Sequence, residues 1–272
     1  MFSTLMVNTW VAATIVAIVA ATIGFFAVLR RSAFAAHALP QGAFAGAACA
    51  SLLGLSTILG LFVFSIIGAI SIALLGRRGR HDAVTALTLV LMLGLGALFL
   101  SFSVEYAPEI YSLLFGEILG VSRSDLLPIT ALGAASVLAT VALYRPLLLS
   151  SVISDAAEAR GVNTRRLELC FLLVMALAIS ATVPVVGTFL VFSLMIAPAG
   201  SARTIATSPL AALALSILIA LATVWASIAA AYQTNWPVGF YVGTIGATAY
   251  ILARTHQAWR TRSHQQLTLT NN

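Results

Sequence analysis

The sequence predicts an all-α polytopic membrane protein of about nine transmembrane helices, with the N-terminus outside and the C-terminus cytoplasmic. Three observations predict it. Of 272 residues, 61% are hydrophobic and only 8% charged, with a mean hydropathy of +1.04; a soluble domain is about 25% charged. Apolar runs of spanning length alternate with short polar breaks. All fourteen basic residues are arginine, and thirteen of them fall in alternate breaks, the pattern of cytoplasmic loops.

The first span, 8–29, does not read as a secretory signal, because residues 1–7 carry no basic side chain and Arg30 and Arg31 follow the apolar run. The second, 33–54, opens on Ala33-Phe34-Ala35, which looks superficially like a cleavage site and reads instead as the start of a helix. Spans 56–75 and 83–103 flank Arg77, Arg78 and Arg80. A long outer break from Glu105 to Asp125 precedes span 126–144, and the inner loop after it carries Arg145, Arg160, Arg165 and Arg166. Spans 167–183 and 185–200 meet at Pro184, with Gly187 close by. A kink there instead of a turn gives eight spans, but puts Arg203 and the tail on the side the arginines argue against. Spans 209–231 and 237–253 complete the set, leaving Arg254, Arg260 and Arg262 inside. Residues 1–255 thus form a single transmembrane domain and 256–272 a polar cytoplasmic tail.

Several function classes are excluded. Spans consume the chain, so no built-in nucleotide-binding domain fits, and the net charge of +6 reports loop orientation and not nucleic-acid binding. No Asp or Glu lies deep within a span; Glu168 sits at the edge of the sixth, beside Arg165 and Arg166. A proton- or sodium-coupled carrier usually needs a mid-membrane carboxylate. No His-Glu-x-x-His or Gly-x-Ser-x-Gly sequence supports an intramembrane hydrolase. Uphill transport would therefore draw its energy from a partner. Cys49 and Cys170 lie in apolar runs and read as packing residues.

His37 is the one Asp, Glu, Arg or His clearly inside a span, and Gln41, four residues on, shares its helical face. Pro40 between them removes a backbone donor, and Gly42 and Gly46 have the spacing of a close helix contact. Two readings fit: a neutral His and a Gln hydrogen-bonded at a packed bend, or a cation or substrate site. His81, His256 and His264 match no ligand spacing and read as solvated. In the loop 145–166, Ser154-Asp155-Ala156-Ala157-Glu158-Ala159-Arg160-Gly161 reads as a short surface helix, capped by Ser154 or Asp155 and stopped by Gly161. Its small residues suit a groove on another protein, or it is an ordinary loop helix. The outer break holds Glu105, Glu109, Glu117 and Asp125 against Arg123 alone. That negative entrance either gathers cations or docks a receptor, or is simply a solvated loop.

Taken in order, three segments resemble the integral-membrane subunit of the manganese, zinc and iron importer family of ABC transporters. They are GFFAVLRRSAFAAHALPQGAFAG from Gly24 to Gly46; LLFGEILGV from Leu113 to Val121, followed by Asp125; and the stretch from Asp155, Ala157 and Gly161 through VGTFLV from Val186 to SLMIAPA from Ser193, which holds Gly187, Ser193 and Pro198. The resemblance implies a permease subunit without enzymatic activity of its own, in a bacterial inner membrane. It implies a second copy of the chain, two cytoplasmic ATPases that bind the ATP, and an extracytoplasmic metal-binding protein. Coupling to the ATPase would run through Asp155, Ala157 and Gly161, and no covalently bound cofactor is expected. Where the family commonly carries Asp and then His four residues later, this chain has His37 and Gln41. The exchange favours zinc over manganese, because imidazole suits zinc and oxygen-only sites suit manganese. Alternatives are a metal-chelate or siderophore importer permease, a passive channel or a membrane scaffold.

Overall fold

The computed structural model describes residues 4–76, 81–102, 113–116 and 121–270, and within them all regular structure is helical. The helices are α1 (Thr4–Leu29), α2 (Ala33–Leu52), α3 (Thr57–Leu75), α4 (His81–Ser101), α5 (Arg123–Ala142), α6 (Tyr144–Val152), α7 (Ser154–Ala159), α8 (Thr164–Val186), α9 (Thr188–Ile205), α10 (Pro209–Thr234) and α11 (Val238–Thr270). Seven of them, α1, α3, α4, α5, α8, α9 and α10, are long and apolar enough to cross a membrane. α2 and α11 coincide with the other two predicted spans but are diluted by His, Gln, Pro and Gly in α2 and by the polar C-terminal half of α11.

Burial sorts the helices. α1 and α8 are each 72% buried along their most apolar stretch, against 17% for α4 and 22% for α5. α1 carries small residues around its girth, with Ala12, Ala13, Ala17, Ala20 and Ala21 all buried, so α5, α8, α9 and α10 can pack around it. α2 packs on α3 and α4, and α9 on α10 and α11. The outward faces of α4, α5 and α10 expose Leu87, Val90, Leu91, Leu127, Leu138, Leu210 and Leu218. Exposed aliphatic rows of this kind belong against lipid chains, where they carry no hydration penalty.

One end of the bundle collects arginines. Arg30 and Arg31 line a cavity there with Ser32, Gly76, His81, Thr164, Arg165 and Glu168, and Arg203 Nη1 donates to the Val28 carbonyl at 3.4 Å. The start of α8 and the end of α9 therefore lie at the same end, and the chain reverses between them. The reversal falls at Gly187, not at Pro184 as the sequence suggests: α8 runs through Pro184 to Val186, and Gly187 has φ 84° and ψ 158°. That backbone region is essentially restricted to glycine, whereas a proline in the last turn costs α8 only the bond to Ser180. The C-terminal helix α11 continues unbroken past residue 255 into the polar tail.

Candidate functional site

α2 begins after a tight turn in which Arg31 adopts φ 60°, and two of its glycines fix its packing. Gly46 and Gly60 bring the α2 and α3 backbones into direct contact, while Gly42 accepts the Met92 side chain of α4. These contacts bury most of the helix and leave the His37 and Gln41 side of it half-exposed. Gln41 Nε2 lies 3.2 Å from His37 Nε2, a hydrogen bond when the ring carries its proton on Nδ1. The His37 ring meets Phe192 of α9 edge-on, with centroids 4.7 Å apart. Turning the Gln41 amide half a rotation puts its oxygen beside the imidazole nitrogen. Two donors 3.2 Å apart, each ~2.1 Å from an ion, subtend about 100°, close to a tetrahedral angle. Among the described residues no three His, Cys, Asp or Glu side chains come together as a metal site. Among the described residues the chain therefore offers a cation this pair and no closed cage.

Gly187, Ser193 and Pro198, singled out in the sequence, lie on the α8–α9 hairpin. Gly187 forms the turn, Ser193 is half-buried next to Phe192, and Pro198 is buried inside α9. At that turn, opposite the arginine end, Leu114, Phe115 and Gly116 press against Val186 and Gly187, with the Phe115 and Phe189 rings 5.8 Å apart. Glu105, Glu109 and Glu117 lie outside the described residues. Asp125 is not a free charge, because its carboxylate accepts from the Ser122 N–H at 3.3 Å and from the Ser122 hydroxyl at 2.5 Å, capping α5.

α7 forms where the sequence places a surface helix, and Gly161, at φ 78°, closes it. The Val162 N–H reaches the Ala157 carbonyl and the Gly161 N–H the Glu158 carbonyl, the paired bonds of a Schellman ending. Ala157 is completely buried within its own protomer, whereas Glu158, Ala159, Arg160 and Gly161 are exposed. The side chain of Asp155 lies outside the described residues. α6, a helix the sequence does not announce, carries Ser150, whose hydroxyl accepts from Arg30 Nη1 at 2.7 Å.

Arg30 is largely buried at this end. Its guanidinium lies 5.5 Å from the Phe171 ring centre, and burial lowers its pKa, with Glu168 opposing. His81 is not solvated as its sequence context suggests: it is half-buried, 3.3 Å from Glu168 Oε1, and too poorly aligned to count as a hydrogen bond. His81 and Glu168 are far apart in the chain and met only through the packing of α3, α4 and α8. They line a polar cavity of about 640 Å³ with Asp82, Thr164 and three arginines. Cys49 and Cys170 are both free, and Cys170 is exposed on α8.

Helices of this length around a buried α1, with one charged end and a half-exposed His37–Gln41 pair on α2, define a polytopic α-helical membrane protein. Residues 2–257 match the ABC 3 transport family, and the chain belongs to it. It is 27% identical over 246 residues to the manganese transport system membrane protein MntC of Halalkalibacterium halodurans, spanning 90% of this chain and 82% of that one. It is 25% identical to the high-affinity zinc uptake system membrane protein ZnuB of Haemophilus influenzae, over 77% of this chain and 81% of that protein. Its fold matches a solved structure of PsaBC from Streptococcus pneumoniae in complex with Fab, with a TM-score of 0.80 and 26% identity, covering 92% of this chain and 91% of that chain.

Proposed function

We propose that this chain is the permease subunit of an ATP-driven importer of divalent metal ions in a bacterial cytoplasmic membrane. The carrying observation is the family match across residues 2–257, and relatives named for manganese and for zinc transport support the cargo class. The working assembly is a homodimer with two separate ATPase subunits and an extracytoplasmic metal-binding protein. The chain crosses nine times, counting α2 and α11, with its N-terminus outside and its arginine end in the cytoplasm, as the arginine asymmetry requires.

Within that assembly His37 and Gln41 touch the ion in transit, two donors from each protomer. A pathway ligand must release what it binds, and four strong ligands would trap the ion. The imidazole of His37 favours zinc over manganese or iron. Asp155, Ala157 and Gly161 belong to the segment that meets the ATPase, Arg30 and Ser150 link it to α1, and Gly187, Ser193 and Pro198 shape the hairpin behind the transit pair. The test is uptake into vesicles holding the chain with its ATPase, comparing labelled zinc and manganese with ATP inside. ATP-dependent zinc accumulation is expected. Accumulation of neither ion sinks the reading, and equal rates for both remove the zinc preference.

A further inference from the structure

A second cavity lies between α6, α7 and the start of α10, away from the His37 face. It encloses about 590 Å³ and is lined by Pro146, Leu148, Leu149, Val152, Ile153, Val162 and Pro209, with Arg145 and Arg160 as its only charged residues. The volume is that of a small-ligand cleft, but a soluble polar ligand would find few hydrogen-bond partners on walls of leucine, valine, isoleucine and proline. Arg145 and Arg160 are themselves exposed. The occupant is apolar along its body, and a head that emerges at the rim, where Arg145 and Arg160 are exposed, is favoured if it is anionic.

Position narrows the choice. The Arg30 bond to Ser150 places α6 at the arginine end of the bundle, which is a membrane boundary for the seven spanning helices. The groove opens where the outward faces of α5 and α10 end. Leu138 and Val141 on α5, Val152 and Ile153 at the end of α6, and Leu210 on α10 are all exposed, so the groove continues the apolar outward surface of the bundle. Basic pockets at this depth between transmembrane helices recruit anionic headgroups, each arginine contributing electrostatic attraction that salt screens only in part.

We infer that this groove is a binding site for an anionic phospholipid, with one acyl chain along Leu148, Leu149 and Val152 and the headgroup phosphate between Arg145 and Arg160. Such a lipid fills the space under α7, the helix whose exposed end carries Glu158 to Gly161, and so steadies the segment proposed to meet the ATPase.

The experiment uses the full chain purified from membranes with whatever subunits accompany it, stripped of lipid and titrated with phosphatidylglycerol or phosphatidylcholine under native mass spectrometry. Phosphatidylglycerol is expected to bind at one per protomer, with Arg145→Gln weakening it about fivefold and leaving phosphatidylcholine adducts unchanged. Leu149→Trp, which fills the groove, should remove the adduct; Arg145→Gln stands as the surface variant should Leu149→Trp fail to fold. Equal binding of the two lipids overturns the proposal. So does displacement by millimolar inorganic phosphate, which marks a simple anion site. Lipid adducts confined to chains that have lost the ATPase subunit also overturn it, because the groove is then a protein interface.

Discussion

Gly116 and Gly187 meet backbone to backbone at the turn between α8 and α9, both with φ near +80°. Neither tolerates a Cβ: a methyl on Gly187 runs into the main chain of Leu114 to Gly116, and one on Gly116 into the main chain of Val185 and Val186. Gly187→Ala and Gly116→Ala should each destabilise the protein, by about 1–3 kcal/mol from backbone strain alone, with collision adding to it. Gly94 is the control: it lies mid-helix with open space around it, so Gly94→Ala should be neutral or stabilise by up to about 1 kcal/mol. Thermal unfolding of the detergent-solubilised variants reads both. A Gly187→Ala variant as stable as the wild type refutes the tight turn.

Arg30 fixes the end of α1 to α6 through Ser150 and stacks on Phe171 of α8. Lysine retains the charge but loses the planar fork that reaches both partners. Arg30→Lys should therefore lower stability by roughly 1–2 kcal/mol and Ser150→Ala by about 1 kcal/mol, with the double variant less than additive. Full additivity in melting experiments would show that the two side chains act independently.

Which parts of this were legible in the sequence depends on the range of the signal. The pairing of His37 with Gln41 and the contact at Gly42 and Gly46 follow helical periodicity, and both appear. The helix before Gly161 follows local capping chemistry, and it appears too. α6 was hidden because Arg145 and Pro146 read as loop residues, although proline is tolerated in a first helical turn. The role of Asp125 was open to view as Ser-x-x-Asp, yet charge counting treated it as a free acid. The burial of Ala157 and the meeting of His81 with Glu168 depend on packing between distant helices, for which no local pattern exists.

Topology is tested by labelling. With thirteen of fourteen arginines assigned inside, a cysteine replacing Glu109 should react with an impermeant thiol reagent on intact cells, and one replacing Arg80 or Arg160 should react only after permeabilisation. The measurement must use a variant lacking Cys49 and Cys170, since Cys170 is exposed. External labelling at Arg160→Cys would invert the orientation.

The buried position of Ala157 changes how the ATPase contact is probed. Ala157→Trp should disrupt α7 within the protomer and lower stability, so it cannot isolate docking. Ala159 is exposed on the same short helix. Ala159→Trp should leave the melting temperature within a degree or two and reduce co-purification of the ATPase severalfold. Unchanged association would place the ATPase contact elsewhere on the arginine end.

The transit role proposed for His37 rests on its being a half-exposed imidazole beside Gln41 on a helix packed against α3 and α4. Its ring also touches Phe192, so removing it affects packing as well as metal contact, and the variants must separate the two. His37→Ala should cut ATP-driven zinc uptake by tenfold or more. His37→Gln keeps a hydrogen-bonding side chain of similar reach but lacks the ring nitrogen, so it should restore stability without restoring zinc transport. His37→Asp replaces imidazole by the carboxylate common in the family and should move preference toward manganese, since oxygen donors suit the harder ion. Gln41→Ala frees His37 Nε2 of its partner and should weaken transport less than loss of the imidazole. If His37→Gln transports zinc at the wild-type rate, the imidazole is a packing group, and the ion crosses along other residues.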